Sequence, residues 1–290
     1  MNGSSSLNGA RVLVTGAARG IGAALAARLH RRGARVALAG LEPERLELVA
    51  SACGGAPWVT CDVRDRPAVD AAVASLVEQL GGLDVVVANA GVAAQLPIVG
   101  GNPETFEQTI EVNLLGTYYT LRACGPHLLH ERGYALAIAS LGGAVHLPLM
   151  GAYAASKSGV EALANSLRAE LRPSGTRVGV AYFAELDTDM TRRGFGTRAA
   201  REVAGRTGAI SGVSPLAPAI DALERGIARR SRVVASPWWV RPLLPLRGVV
   251  QRGVELALRG RVERAVELAR EEDAAMTTRQ PARGRVEVST

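Results

Sequence analysis

The sequence predicts an α/β protein built on one doubly wound parallel sheet with helices on both faces. Three observations carry that expectation. Short apolar runs alternate with amphipathic stretches of about ten to fifteen residues, the pattern of repeated strand–helix–strand units. The first run, Ala10 to Thr15, passes at once into Gly16-Ala17-Ala18-Arg19-Gly20-Ile21-Gly22 and then into an alanine-rich helix-former. A later run, Leu83 to Ala88, is apolar without alternation, as strands buried on both faces are.

Taken in order, Ala10–Thr15 is the first strand. The glycine-rich turn follows, and Ala23 to Arg32 is a helix that Gly33 stops. Glycines allow a tight turn and a close approach of backbone to ligand. The helix start behind such a turn offers free N–H groups to a phosphate. Arg35–Ala39 is the second strand and Pro43–Ser51 a helix. Trp58–Cys61 is the third strand, ending in Asp62-Val63. Arg66–Leu80 has helical periodicity, and Leu83–Ala88 runs into Asn89-Ala90-Gly91.

Asn102 and Pro103 read as cap and first residue of a long helix. Its stripe is Phe106, Ile110, Leu114, Tyr118 and Leu121, with Asn113 in mid-helix. Ala135–Ala139 is the fifth strand, ending in Ser140. Residues 152–172 form a helix, Arg177–Tyr182 a strand, Pro215–Arg229 a helix and Arg232–Ala235 a final strand. Residues 190–214, with Arg192, Arg193, Phe195, Arg198 and several glycines, are expected to form a mobile lid.

Composition narrows the class. The 290 residues are 48% hydrophobic and 21% charged, so the chain is globular. Cys53, Cys61 and Cys124 fit no metal spacing and no even disulfide framework, and read as buried thiols of a cytoplasmic protein. No charge-free apolar run is long enough to span a membrane, and Met1 to Asn8 lacks the pattern of a signal peptide. The net charge of +7 is concentrated in residues 225–270, which hold 11 arginines and three glutamates. No nucleic-acid partner is expected.

Lys157 is the only lysine of the chain. Lys is a compact ammonium and Arg a planar fork, so a site that keeps the one lysine points to chemistry. Tyr153 precedes it by one helical turn, on the same face. A nearby cation favours the phenolate and lowers a tyrosine pKa toward the working range of a general acid/base.

The ordered set Thr15-Gly16-Ala17-Ala18-Arg19-Gly20-Ile21-Gly22, Asp62-Val63, Asn89-Ala90-Gly91, Asn113, Ser140 and Tyr153-Ala154-Ala155-Ser156-Lys157 resembles the short-chain dehydrogenase/reductase family over about residues 8–236. The resemblance implies a Rossmann-type sheet and hydride transfer between a nicotinamide cofactor and a carbonyl/secondary alcohol pair. It implies catalytic roles for Tyr153 as proton donor and acceptor and for Lys157 on the nicotinamide ribose and Tyr153. It also implies that Ser140 orients the reacting oxygen and that Asn113 holds a water linked to Lys157. It assigns Gly16, Arg19, Gly20, Ile21, Gly22, Asp62, Val63, Asn89, Gly91, Leu186 and Thr188, with Tyr153 and Lys157, to the cofactor. A homodimer or homotetramer pairing residues 103–131 and 152–172 is expected.

Two local features refine the cofactor expectation. The end of the second strand carries Gly40 and Leu41 where an NAD-preferring unit usually has a carboxylate, and Arg19 is placed to pair with a 2′-phosphate. NADP(H) is therefore favoured and NAD(H) is the alternative. Phe183-Ala184 stands where the family usually has Pro-Gly before a nicotinamide-contacting threonine, here Thr188. That departure favours the alternative function, a non-catalytic dinucleotide-binding sensor or scaffold. The intact Asn113, Ser140, Tyr153 and Lys157 favour the enzyme.

The predicted organisation is a flexible N-terminus at 1–8, the cofactor-binding domain at 9–236, an apolar and basic extension at 237–272 and a disordered tail at 273–290. Within the extension, Val250, Val254, Leu258, Val262 and Val266 recur every four residues on a predicted helix beside Arg252, Arg259, Arg261 and Arg264. Packing on the enzyme or a second subunit is the favoured use of that face. Peripheral membrane contact, with Trp238 and Trp239 at the interface, is the alternative. The apolar lid and extension point to a hydrophobic substrate.

Overall fold

The computed structural model describes residues 7–194, 197–204, 212–272, 276–278 and 280–281. Its strands are β1 (Arg11–Thr15), β2 (Arg35–Gly40), β3 (Trp58–Thr60), β4 (Val85–Ala88), β5 (Tyr134–Ile138), β6 (Arg177–Phe183) and β7 (Val233–Ser236). They form one sheet in the order β3-β2-β1-β4-β5-β6-β7, with every neighbouring pair parallel. The order reverses between β1 and β4. In such sheets the ligand crevice opens there, outside the carboxyl ends of the strands.

Strand alternation builds a core on each face. Val12 and Val14 point to one side and pack with Leu25 and Leu29 of α1 (Gly20–Arg31), and Leu223 and Ile227 of α9 (Leu216–Arg229) share that core with Leu46 of α2 (Pro43–Ala52). Leu13 and Val86 belong to the opposite core. There they meet Leu76 of α3 (Arg66–Leu80), Leu121 of α5 (Gly116–Cys124) and Val160 of α6 (Gly151–Glu170). The period of two is what sends neighbouring residues to opposite layers. At the strand starts, Asp84 is buried and takes three hydrogen bonds from Arg11, joining the beginnings of β4 and β1. Burial alone would raise its pKa, but the Arg11 bonds prevail and hold it at about 2.

The helix signals read from the sequence act as caps. Asp65 accepts from the Ala68 amide at the start of α3, and Gly81 ends that helix at φ 71°. Asn102 accepts from the Thr105 amide at the start of α4 (Pro103–Ile110). The expected unbroken helix after Asn102 is instead interrupted by a π-helical turn, Glu111–Leu115, before α5. Such turns free or shift backbone groups and are frequent at functional sites.

Two further expectations are corrected. Within the lid, residues 190–214, the described part is not simply loop: it holds α7 (Asp189–Gly194) and α8 (Arg198–Ala204). Phe195 and the Arg193 side chain lie outside the described residues. The apolar stripe of the extension is not one helix. It divides into α11 (Arg247–Leu258) and α12 (Val262–Glu272) around Arg259-Gly260-Arg261, after the short α10 (Val240–Leu243). Glycine is the weakest ordinary residue in a helix interior, and the break lets α12 fold back onto α8. Leu258, Ala265 and Leu268 pack there with Ala199 and Val203. The Glu272 carboxylate accepts from the amides of Arg198 and Ala199 and so caps the lid helix.

Candidate active site

The glycine turn after β1 is closed tightly enough to require glycine. Gly16 has φ 63°, and a Cβ on Gly22 would lie 2.3 Å from the Gly16 carbonyl oxygen. Arg19 is the extended residue before α1, and no side chain caps that helix start. Its first amides therefore face the crevice, as an anion site at a helix N-terminus needs. Asn89 holds the turn from β4. Its Nδ2 donates to the carbonyls of Thr15 and Gly16, at 2.9 and 3.2 Å.

Ser140, Tyr153 and Lys157 converge from β5 and α6. Ser140 follows β5, and its Oγ accepts from the Gly142 amide at 3.0 Å, which fixes the side chain at the rim of a tight turn. A Cβ on Gly142 would sit 3.4 Å from the Tyr153 ring and 3.5 Å from Ser140 Oγ, so the two side chains meet over that glycine. Lys157 is buried. Its ammonium donates to the Ile138 carbonyl at 2.8 Å and lies 5.8 Å from the centre of the Tyr153 ring.

Asn113 sits in the π turn behind them. Its Oδ1 accepts from the Val92 amide at 2.8 Å, and its Nδ2 donates to the Val92 carbonyl and to Ser156 Oγ, at 2.9 and 3.0 Å. A Cβ on Gly91 would meet both Asn113 Oδ1 (3.2 Å) and Lys157 Nζ (3.3 Å). Gly91 is thus the gap that lets the amide and the ammonium approach one another.

Electrostatics differ from the sequence expectation. Burial pushes the Tyr153 phenol up from its ordinary value, and the Ser140 hydrogen bond offsets only part of that. Burial also lowers Lys157 to about 8. The expected lowering of Tyr153 by Lys157 is not realised in this structure. The ammonium is turned to the Ile138 carbonyl.

The remaining predicted residues separate into two groups. Arg19, Gly20, Ile21, Val63, Leu186 and Thr188 line the same cavity as Gly16, Asn89, Gly91, Ser140, Tyr153 and Lys157, with a volume of about 470 Å³. Asp62 is turned aside, because Arg64 donates to both of its carboxylate oxygens. Arg19 is also engaged. It pairs with Glu42 after β2 and lies 3.7 Å from Asp189.

The model of the short chain dehydrogenase family matches residues 10–199. The chain belongs to the short-chain dehydrogenase/reductase family. It is similar to D-threitol dehydrogenase of Mycolicibacterium smegmatis, 37% identical over 59% of this chain and 68% of that one. It is also 37% identical, over 63% of its length, to a stretch of glycine betaine reductase ATRR of Emericella nidulans; that stretch is 15% of the larger protein. The crystal structure of gox2181 superposes with a TM-score of 0.71 at 25% identity, over 83% of this chain and 100% of that one. Family membership makes this chain a nicotinamide-dependent oxidoreductase.

As a short-chain dehydrogenase/reductase, the chain has a cavity that extends past the motif residues. Trp239 and Leu243, at α10, and Val250 and Val254, on α11, line it together with Val145 and Phe183. Thr278 and Gln280 of the tail line it as well. Of these eight residues, sequence reasoning singled out only Phe183 at the pocket and missed the other seven. The four-residue spacing of Val250 and Val254 marked a buried face, but nothing local to the sequence said what it would face. Thr278 and Gln280 carried no signal. The tail was expected to be disordered throughout, yet Thr277 is buried and hydrogen-bonded on both its amide and its hydroxyl.

Proposed function

We propose that this chain transfers hydride between NADP(H) and a carbonyl/secondary alcohol pair on a hydrophobic substrate, with Tyr153 as the general acid/base. The observation that carries the reading is that Ser140, Tyr153 and Lys157 line one cavity together with the apolar side chains Trp239, Leu243, Val250 and Val254. A cavity of that size fits a small organic substrate beside a cofactor. Polar groups concentrated at the reacting end orient such a substrate, and the apolar walls select it.

The residues present fit the cofactor. Gly16, Gly20, Ile21 and Gly22 would hold its pyrophosphate at the start of α1. Val63, Asn89 and Gly91 would flank its adenosine half, and Lys157, Leu186 and Thr188 its nicotinamide half. The bound cofactor supplies the hydride donor or acceptor. The protein's part is the proton. Tyr153 Oη delivers it to the substrate oxygen in reduction and takes it in oxidation. Ser140 Oγ donates to that same oxygen and fixes its position. Lys157, with a pKa near neutrality, restores the Tyr153 proton from the Asn113 side. Trp239 and Phe183 keep water from the reacting carbon.

Arg19 supports the NADP(H) preference. It lies in the cavity wall where the second strand offers Gly40 and Leu41 in place of a carboxylate. A 2′-phosphate would compete for the guanidinium with Glu42, whose two carboxylate oxygens accept from Arg19 Nε and Nη2.

Two exposed faces support the reading of assembly and location. Leu115 and Tyr118 lie exposed at the π turn and on α5, which supports a homodimer or homotetramer through that face. Trp238, Leu246, Val249 and Leu256 are exposed beside Arg241, Arg252 and Arg259, which supports contact with an anionic membrane surface. No helix among the described residues is long and apolar enough to cross a membrane.

The test is titration with NADPH and NADH, then a carbonyl panel graded by hydrophobicity, with the Tyr153→Phe variant alongside. Turnover is expected to fall by about 10²- to 10⁴-fold in that variant, with cofactor affinity retained. Wild-type turnover by Tyr153→Phe would remove Tyr153 from the role.

A further inference from the structure

The chain returns to its own cleft after α12. Thr277 is 3% exposed; its amide donates to the Ala93 carbonyl and its Oγ1 accepts from the Ala93 amide, both at 2.9 Å. This two-bond clasp fastens the tail to the segment that follows Asn89-Ala90-Gly91. Four residues later the Pro281 carbonyl accepts from Arg64 Nη2 at 2.9 Å. The tail therefore joins the loop after β4 to the loop after β3. Those loops flank the crevice at the adenosine end of the sheet, where the order of strands reverses.

Between the two anchors, Thr278 and Gln280 line the cavity. Gln280 Nε2 donates to the Thr278 carbonyl at 3.0 Å. That bond sets the amide's orientation, because the reverse arrangement would bring two oxygens together. Gln280 Oε1 is buried and has no hydrogen-bond partner among the described residues. Buried acceptors are nearly always paired in a folded protein, and an unpaired one calls for a ligand. The donor it lacks must come from whatever fills the cavity.

The neighbouring carboxylate is engaged on both oxygens. Three Arg64 N–H groups reach Asp62: the amide on Oδ1 at 3.0 Å, Nε shared between Oδ1 and Oδ2 at 3.1 and 3.0 Å, and Nη2 on Oδ2 at 2.6 Å. An exocyclic amine carries two N–H groups, so Gln280 Oε1 can take one of them whichever partner takes the other. Arg64 thus does two things at once: it fixes the Asp62 carboxylate and it holds the tail at Pro281.

We propose that the C-terminal tail completes the cofactor site, with Gln280 Oε1 accepting a hydrogen bond from the exocyclic amine of adenine. The proposal rests on the nicotinamide-dinucleotide reading of the cleft. It makes the tail a wall of the adenosine pocket, fastened at Ala93 and at Arg64, and makes Gln280 a determinant of base identity.

The experiment is equilibrium binding to the full-length protein, read by fluorescence titration. It compares the reduced adenine dinucleotide that the wild type prefers with its hypoxanthine counterpart, which carries an oxygen in place of the amine. The wild type is expected to bind the adenine form about five- to tenfold more tightly, one hydrogen bond's worth of discrimination. Gln280→Leu is expected to erase that difference by weakening the adenine form alone. Thr277→Val, which removes one of the clasp's two bonds, is expected to weaken the adenine form as well. Equal weakening of both dinucleotides by Gln280→Leu, or no change in either, overturns the assignment. Failure of the wild type to bind any reduced dinucleotide would instead sink the cofactor reading beneath it.

Discussion

Asn113 and Val92 exchange two hydrogen bonds, amide to carbonyl in each direction, at 2.8 and 2.9 Å. The side chain of one residue imitates a strand partner for the backbone of the other. This joins the π turn to the loop after β4 and holds Gly91 against Lys157. The turn matters because it places an amide that a regular helix would have pointed elsewhere.

Replacing Asn113 by alanine leaves the Val92 amide and carbonyl buried and unpaired. The expected loss is about 2–6 kcal/mol, from two orphaned groups at about 1–3 kcal/mol each. Urea unfolding of the apoprotein measures it. Asn113→Asp is expected to be nearly as damaging, since a carboxylate cannot donate to the Val92 carbonyl. A loss under about 1 kcal/mol in both variants would show that the exchange is not sustaining the loop.

Lys157 gives the protein a specific pH dependence. Burial holds its folded pKa at about 8, well below the ordinary lysine range near 10.5. Between those values the unfolded chain binds the proton and the folded chain does not, so this residue's contribution to stability rises with pH through that window. Below about pH 8 both states hold the proton and the burial cost is present in full. The buried thiols of Cys53, Cys61 and Cys124 are shifted upward and act in the opposite sense above about pH 9. The measurement is therefore the difference in unfolding free energy between wild type and Lys157→Met. That difference should move in favour of the wild type from pH 8 to pH 10, by up to about 1.4 kcal/mol per unit. A flat difference would place the Lys157 pKa at its ordinary value.

Arg19 is expected to decide the cofactor. Arg19→Ala should weaken NADPH binding at least about tenfold, the worth of a charge-assisted hydrogen bond, and leave NADH within about twofold. Equal effects on the two cofactors would make the Arg19–Glu42 pair merely a clamp on the glycine turn.

Membrane contact is tested by co-sedimentation with vesicles. Binding is expected with vesicles containing anionic phosphatidylglycerol at low salt, and not with phosphatidylcholine alone. It should fall as salt screens the arginines and be lost in Trp238→Ser/Val249→Ser. Retention of the full-length protein in the supernatant at low salt would assign that face to another partner or to solvent.

Much of the site was legible in the sequence because its parts are local. A glycine turn needs glycine where the backbone crosses itself, as at Gly16 and Gly22. One helical turn separates Tyr153 from Lys157 whatever surrounds them. The strands were readable because a strand buried on both faces must be apolar throughout, as β4 is. Less legible were the partners of charged groups. Arg19 and Asp62 were assigned to the cofactor, yet each is engaged by a nearby side chain, Glu42 and Arg64. A side chain's choice among several close partners depends on distances that spacing does not encode.

The sequence by itself determined the doubly wound sheet, its glycine cradle and the Ser140, Tyr153 and Lys157 set, because each follows from backbone geometry or helical periodicity over a few residues. Tertiary structure alone decided what covers the cleft. The break at Gly260 turns α12 onto α8, α11 brings Val250 and Val254 to the cavity wall, and the tail reaches back to Ala93 and Arg64. These contacts join residues nearly two hundred apart in the chain, from Ala93 to Thr277 (|i−j| 184). No local preference records such a pairing; it exists only where folding brings an unpaired backbone edge and a passing segment together.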